Sequence, residues 1–208
     1  MTITSQEYNA LEQAYDWFNA DLFEGRLPAV LITFQRKANS AGFFSPGRFA
    51  ARNGGSDDHR ADELALNPAG FVGQTDLEIL QTLVHEMAHV WQEHFGEPGR
   101  GAYHNQEWAN KMISLGLMPS STGQPGGKTT GQSMSDYVVP GAPFEKSALT
   151  LLCTGFKVNW QSLEPKKGGK PPVKSKVKYT CPACSINAWG KPELSLICGE
   201  CMETMAEA

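Results

Sequence analysis

His85, Glu86 and His89 form the pattern that most constrains this 208-residue chain. Successive residues of an α-helix are rotated by about 100°, so histidines four positions apart lie about 40° apart around the helix axis. Two imidazoles on one helix face, with a glutamate beside them, are typical of a zinc site in which the carboxylate acts as a base. The surrounding segment is therefore predicted to be a helix that holds both histidines towards one metal ion.

Apolar residues at intervals of three and four predict a long helix around this pattern and one helix on either side of it. Thr75 and the acids that follow it form an N-terminal capping pattern for the central helix. The three predicted helices cover residues 6–23, 75–95 and 104–116. Short alternating segments predict strands at residues 30–34, 41–51 and 63–66, and the middle segment is interpreted as a hairpin or a bulged strand pair.

A catalytic zinc ion usually takes three protein ligands and keeps its fourth position for water. The candidates for the third ligand are His94, Glu97, His104 and Glu107. His94 points about 140° away from His89 on the same helix, so it is predicted to face solvent or an edge. His104 opens the next helix after a glycine-marked turn and is favoured as the ligand, while Glu107 remains the alternative.

Four of the five cysteines form two Cys-x-x-Cys pairs that are thirteen residues apart. Four thiolates fill the tetrahedral coordination of zinc completely, so this second site is predicted to be structural. Its ligands are Cys181, Cys184, Cys198 and Cys201. Strands at residues 176–180 and 194–197 would complete a zinc ribbon, and Cys153 is expected to be a buried, inert thiol among apolar neighbours.

The composition of the rest of the chain predicts where its linker and domains lie. Residues 119–131 consist almost entirely of Ser, Thr, Gly, Pro and Gln, which predicts a linker, whereas residues 134–160 regain apolar content without showing where they pack. The predicted organisation is a first domain at residues 1–118, a linker and partly ordered extension at 119–170, and a ribbon at 171–208.

The charge and hydropathy of the chain indicate which partners to expect. The net charge is −4, but residues 157–178 carry seven lysines and one acid. Lysines with Tyr179 and Trp189 in the ribbon suggest contacts to DNA phosphates and bases, and a solubilising lysine face around a protein-docking ribbon is the alternative. No apolar run approaches a membrane span and the N-terminus lacks a signal-peptide pattern, so a cytoplasmic protein without a membrane partner is expected.

The pattern His85-Glu86-Met87-Ala88-His89, followed by His104 fifteen positions later and by the helix that carries Trp108, resembles the SprT-like zinc metallopeptidases, which include Spartan. The resemblance covers residues 6–118 and extends to the cysteine pairs. It implies an α+β fold, in which a zincin-like metallopeptidase domain of helices packed on a small sheet precedes a small C-terminal zinc ribbon.

The resemblance also implies roles for particular residues. Zinc would be bound by His85, His89 and His104, with Glu86 as the general base. Trp91 would lie near the metal, although a core-facing Trp91 is an equal interpretation. Asn105 stands where the family usually has glycine, which leaves the conformation of that turn open.

Motif and resemblance together predict a zinc-dependent metalloendopeptidase with one catalytic and one structural zinc ion. The family includes proteases that degrade proteins crosslinked to DNA, so DNA-associated or DNA-crosslinked proteins are the substrates it implies. The alternative is a nucleic-acid-associated, transcription-related zinc-binding factor with little or no protease activity. Glu86 argues against this alternative, since a purely structural site has no use for a base.

Overall fold

The computed structural model describes residues 2–37, 40–52, 60–163 and 176–207. The chain divides into two compact units, Met1–Leu163 and Glu164–Ala208. The first unit therefore continues beyond residue 118, where the sequence predicted a domain to end. It takes in the predicted linker and most of the predicted extension.

Four α-helices and two small sheets are present in the described part of the first unit, which makes it a mixed α/β structure. None of the described helices is both long and apolar enough to cross a bilayer. The helices are α1 (Ile3–Leu22), α2 (Asp76–Phe95), α3 (Gln106–Leu115) and α4 (Pro143–Cys153), with a short 3-10 helix at Arg100–Ala102. The strands are β1 (Leu31–Phe34), β2 (Gly42–Ala50), β3 (Arg60–Leu66), β4 (Leu117–Ser120) and β5 (Ser135–Val138).

Helix α2 begins as the sequence predicts. The Thr75 side chain accepts a hydrogen bond from the backbone of Glu78, whose carboxylate in turn accepts one from the backbone of Thr75. The hydrogen bonds from Thr75 lower the pKa of Glu78. This capping box satisfies N–H groups that have no partner within the helix, so it fixes where α2 starts and which of its faces is buried.

The three predicted helices are confirmed as α1, α2 and α3, whereas α4 was not predicted. Phe144, Ala148 and Leu151 of α4 are buried in the same core as α1 and α2. The prediction of a buried Cys153 is wrong, because this residue is exposed at the end of α4. Its position two residues past Leu151 turns it away from the buried face.

The larger sheet has the strand order β1-β3-β2, in which β1 runs parallel and β2 antiparallel to β3. The segment predicted as a hairpin or a strand pair is the single strand β2, with a register shift between Ser45 and Phe49. Such a bulge suits Pro46, which cannot donate a hydrogen bond to a neighbouring strand. Since β2 pairs only with β3 among the described strands, it forms an edge of the sheet.

His94 and Asp62 hold this bulge. His94 Nε2 lies 2.6 Å from Asp62 Oδ2, and Asp62 Oδ1 accepts a hydrogen bond of 2.7 Å from the backbone of Gly47. His94 is exposed, which agrees with the prediction that it faces solvent or an edge. Its role there is to tie the end of α2 to the bulge of β2.

The second unit contains β6 (Val177–Thr180), β7 (Asn187–Gly190) and β8 (Ala206–Glu207), in the order β7-β6-β8. The predicted strand at residues 176–180 is confirmed as β6. The predicted strand at 194–197 is wrong, because β6 pairs with β7 and β8 and Ile197 forms only an isolated bridge with Thr204. The buried side chains of this unit are Tyr179, Cys181, Cys198 and Met205.

Candidate metal centres

His85, His89 and His104 meet at one point of the first unit. Their candidate ligand nitrogens all lie within 4.8 Å of one another, and His89 Nε2 is 3.1 Å from His104 Nε2. Two nitrogens bound to one tetrahedral zinc ion at about 2.0–2.1 Å would lie roughly 3.3 Å apart. The spacing of the donor atoms is therefore compatible with zinc.

Glu107, the alternative third ligand, contacts the turn between α2 and α3. Its Oε2 accepts hydrogen bonds from the backbone of Glu97 at 2.7 Å and from Gln92 Nε2 at 2.8 Å. The Asn105 side chain accepts from the backbone of Trp108 at 3.0 Å and so caps α3. These contacts fix the turn between α2 and α3, with asparagine taking the position where the family usually has glycine.

Two residues outside the predicted site orient the histidines. His85 Nδ1 lies 2.8 Å from Asp136 Oδ1, and His104 Nδ1 lies 3.1 Å from the carbonyl oxygen of Gly131. When each Nδ1–H donates to its acceptor, each Nε2 presents a lone pair, which is how metal-binding histidines are commonly oriented. Gln81 Nε2 donates to Asp136 Oδ2 at 2.8 Å and holds the carboxylate in turn.

Sequence analysis did not identify Asp136 or Gly131, because both lie beyond α3 in a segment whose composition predicted a linker and an unplaced extension. In the structure, His104 and Gly131 form a β-bridge with two backbone hydrogen bonds of 2.9 and 3.1 Å. This bridge brings the segment back to the histidines. The residues that orient the candidate ligands thus come from the part of the chain to which the sequence assigned no role.

The protonation of the histidines also suits a metal ion. Burial, together with the charges of His85 and His104, holds the pKa of His89 well below its usual value. Burial and the charge of His85 lower the pKa of His104 to about 4. Burial by itself lowers the pKa of His85, but the hydrogen bond and charge of Asp136, with the charge of Glu86, raise it overall. His89 and His104 are therefore neutral at pH 7 and have lone pairs to offer.

Glu86 lies beside the histidines and is only 5% exposed. Burial is the largest influence on its pKa and raises it, the charges of His85 and Lys37 lower it, and that of Asp136 raises it, with a result of about 7. A carboxylate with a pKa near the working pH is able both to accept and to release a proton. This environment is compatible with the predicted role of Glu86 as a base.

Gly42 of β2 is a second residue that sequence analysis missed. A Cβ atom at this position would lie 3.0 Å from both Cγ and Oε1 of Glu86, and 2.9 Å from the carbonyl oxygen of Ala65. Such distances are shorter than ordinary carbon contacts, so only glycine fits here without displacing its neighbours. Nothing in the alternating pattern of β2 distinguishes this glycine from one that merely opens a strand.

The aromatic residue beside the histidines is Trp108. Its ring centroid lies 4.9 Å from that of His85, 5.3 Å from that of His89 and 4.4 Å from that of His104, and its side chain is fully buried. Trp91 instead packs against the core, with the ammonium group of Lys111 5.1 Å from its ring centroid. The core-facing interpretation of Trp91 is the one that the structure supports.

The histidines and Glu86 line an open cleft of about 1410 Å³. Its other lining residues include Gly42, Phe43 and Phe44 of the edge strand β2. Ser135–Val138, which is β5, also lines the cleft. A cleft of this size admits an extended segment of another chain to the candidate metal site.

The second unit holds the other candidate centre. The four sulfur atoms of Cys181, Cys184, Cys198 and Cys201 lie within 4.8 Å of one another, and Sγ of Cys184 is 3.6 Å from Sγ of Cys198. Two thiolates on one zinc ion at about 2.3 Å would lie roughly 3.8 Å apart. The cluster is therefore compatible with a zinc ion.

The two cysteine pairs have the same backbone conformation. In the first, the backbone of Cys181 donates to Ile186 O at 2.9 Å and accepts from Ser185 N at 2.9 Å. The second pair repeats both bonds, each at 2.8 Å, starting from Cys198. Ser185 and Met202 occupy equivalent places with φ of 61° and 55°. A hydrogen bond from the backbone of Cys184 is the largest influence on the pKa of Cys181 and contributes to lowering it to about 7. The pKa of Cys201 is instead raised, chiefly by its hydrogen bond with Cys184. Of these two thiols, Cys181 forms a thiolate more readily.

The geometry defines a mixed α/β protein with two candidate metal centres, one built from three histidines beside a buried glutamate and one from four cysteines. The sequence profile of the SprT-like family matches residues 11–125, more than half of the chain, and the chain belongs to this family. The family is commonly of a metallopeptidase type. The resemblance noted from the motif is thereby confirmed.

One relative is a Salmonella typhimurium protein described as "Uncharacterized protein in mucB 3'region". It is 44% identical to this chain over 52 residues, which make up 25% of this chain and 70% of that protein. No solved structure matches the chain.

Proposed function

We propose that this protein is a zinc-dependent endopeptidase of the SprT-like type, with a zincin-like catalytic domain. His85, His89 and His104 would hold the catalytic zinc ion, and Glu86 would act as the general base. The observation that carries this proposal is the arrangement of Glu86, which is buried beside three convergent imidazoles and still lines an open cleft. A purely structural zinc site does not require a proton acceptor at its side.

A bound zinc ion supplies the Lewis acidity that makes a water molecule and a scissile carbonyl group more reactive. Glu86, whose pKa burial raises to about 7 in the absence of metal, would accept the proton of the attacking water and later donate it to the leaving amine. Asp136 and Gly131 keep the rings of His85 and His104 in place while the proton moves. Each of these residues has one role in a general acid–base hydrolysis of a peptide bond.

The substrate that suits the cleft is an extended protein segment. Strand β2 is an edge strand that lines the cleft beside Glu86, and peptides commonly bind such edges as an added strand. Strand β5 lines the same cleft and pairs only with β4 among the described strands. Main-chain hydrogen bonds to an edge strand depend little on side-chain identity, so the proposed activity would favour unfolded or flexible protein segments.

We further propose DNA as a partner of the second unit, which makes DNA-associated or DNA-crosslinked proteins the substrate class. Lys178 of β6 lies opposite Trp189 of β7 in the antiparallel pair, and both side chains are exposed. Trp189 is 65% exposed, which is unusual for tryptophan unless it has a partner. A lysine beside an exposed indole ring suits a phosphate with the neighbouring base.

The test compares the zinc-loaded wild type with Glu86→Gln on an unfolded protein substrate, with and without single-stranded DNA. The proposal expects cleavage by the wild type, loss of at least about two orders of magnitude of activity in Glu86→Gln, and unchanged zinc content in both. Equal inactivity of the two proteins, loaded with zinc and under every condition, would reject the peptidase. The DNA-associated zinc-binding factor would then be the better interpretation, provided that DNA still binds.

A further inference from the structure

The position of the Glu86 carboxylate depends on the atoms packed around it. Among the residues that the structure describes, none donates a hydrogen bond to either of its oxygens, although the side chain is only 5% exposed. Packing therefore restricts the rotamers that this buried side chain can adopt. The neighbours of Glu86 in van der Waals contact therefore decide where its oxygens point.

Gly42 leaves no room for a side chain beside Glu86. A Cβ at this position would lie 3.0 Å from Glu86 Cγ and Oε1 and 2.9 Å from Ala65 O. The φ of Gly42 is not positive, so its conformation is open to any residue. Space for Glu86 and for Ala65 O, rather than backbone freedom, is therefore the physical reason for glycine here.

Hydrogen bonds hold the backbone around Gly42 in place. Asn67, which is 9% exposed, donates from Nδ2 to Lys37 O at 2.9 Å and to Ser40 O at 2.8 Å. Its backbone N–H donates to Ala41 O at 2.8 Å, and the Ser40 hydroxyl donates to Gly42 O. Asn67 thus fixes the start of β2 next to β3 and keeps Gly42 close to the carboxylate of Glu86.

We propose that Gly42 is a positioning residue for Glu86, and that Asn67 holds Gly42 in that position. This inference rests on the proposed function for its kinetic consequence, but the packing relationship itself does not. A methyl group at position 42 would push the Glu86 side chain out of its place beside the histidines. The base would remain present and the metal ligands intact, but the proton acceptor would be displaced.

The kinetic test is Gly42→Ala in the zinc-loaded protein. We expect kcat to fall about 10- to 100-fold, as displacements of about 1 Å do in enzymes, with KM within about twofold of the wild type and zinc content unchanged. An unchanged kcat would overturn the proposal. A raised KM at constant kcat would also overturn it, because it would assign Gly42 to substrate binding, and so would loss of zinc.

The packing test needs no activity. Gly42→Ala, Glu86→Ala and the double variant form a cycle in which the urea midpoint of unfolding is measured for each zinc-loaded protein. Gly42→Ala should lower the urea midpoint of the wild-type protein. In the Glu86→Ala background we expect this decrease to be less than half as large, because only the contact with Ala65 O remains. Equal losses in both backgrounds would overturn the proposal. An inactive wild type with a clear coupling would instead reject only the peptidase.

One further variant covers a Gly42→Ala protein that fails to fold. Asn67→Ala loosens the start of β2 without adding atoms, so it should lower kcat several-fold while KM and zinc content stay constant. An unchanged kcat would overturn the role of Asn67.

Discussion

Asp136 Oδ1 lies 2.8 Å from His85 Nδ1, although fifty-one positions separate the two residues in the chain. The carboxylate is held on its other side by Gln81, which lies one helical turn before His85 on α2. The hydrogen bond joins the metal-binding helix to β5 of the second sheet. Removal of residues 119–163 would therefore take away part of the candidate metal centre as well as a strand pair and a helix.

Asp136→Asn should weaken zinc binding at the histidine centre about 10- to 100-fold, because the ring of His85 loses its charged hydrogen-bond acceptor. Competition with a chromophoric chelator measures this affinity. The four-cysteine centre of the same molecule is the internal control and should keep its affinity. Equal zinc affinity at the histidine centre in the variant and the wild type would show that Asp136 does not orient the ligand.

Metal content separates the two proposed centres. Native mass spectrometry of the wild type should find two zinc ions. His104→Ala should weaken only the histidine centre, and Cys198→Ser only the cysteine centre, since each removes one protein ligand from its own centre. Glu107→Gln should keep both ions, because Glu107 binds the turn rather than the metal. Retention of both ions in His104→Ala, or loss of one in Glu107→Gln, would indicate that Glu107 rather than His104 is the third zinc ligand.

The sequence predicted those parts of the site that local rules determine. Helix periodicity and the Thr75 cap place α2, and the four-residue spacing places His85 and His89 on one face. The spacing of the two Cys-x-x-Cys pairs likewise predicts a centre formed by four cysteines. These features depend on neighbours within about five positions, which is the range over which a sequence pattern carries structural information.

The parts that were missed depend on distant partners. Gly131 and Asp136 acquire their roles only because a β-bridge to His104 returns their segment to the cleft. Gly42 matters because β2 passes next to Glu86, and no local pattern reveals that contact. The ribbon strand was misplaced for a similar reason, since β7 is short and ordinary in composition and only its pairing with β6 identifies it.

Acid should destabilise the metal-free protein through His89 and His104. Their folded pKa values lie below the value of about 6.5 that they have when unfolded, so the unfolded chain binds more protons as the pH falls. Their contribution to stability is thus present above pH 6.5 and is lost as the pH falls through their folded pKa values, which for His104 is about 4. His85, whose pKa is raised, contributes stability that is present below pH 6.5 and is lost as the pH rises through its folded pKa.

Urea unfolding of chelator-treated protein between pH 7.5 and 4.5 measures this dependence. His104→Ala should flatten the loss of stability between pH 6.5 and 4.5 relative to the wild type, because one of the two neutral histidines is gone. The comparison is made between two metal-free proteins, so contributions from the cysteine centre cancel. A variant with the same slope as the wild type would mean that His104 is not held neutral by its surroundings.

The proposed DNA surface of the second unit gives the last prediction. Trp189→Ala should weaken binding of single-stranded DNA about tenfold, since one stacked base contributes roughly 1–3 kcal/mol. Lys178→Gln should weaken binding less, and should lower the dependence of the affinity on salt because one phosphate contact is lost. Fluorescence anisotropy of a labelled oligonucleotide, titrated at several salt concentrations, measures both effects.

Ile186→Ala is the matched control, because Ile186 is also exposed in this unit but lies outside the β6–β7 pair. Equal losses in the Trp189 and Ile186 variants would indicate general disturbance of the ribbon rather than stacking on Trp189. Wild-type affinity in both Trp189→Ala and Lys178→Gln would place the DNA contact elsewhere, or remove DNA as a partner.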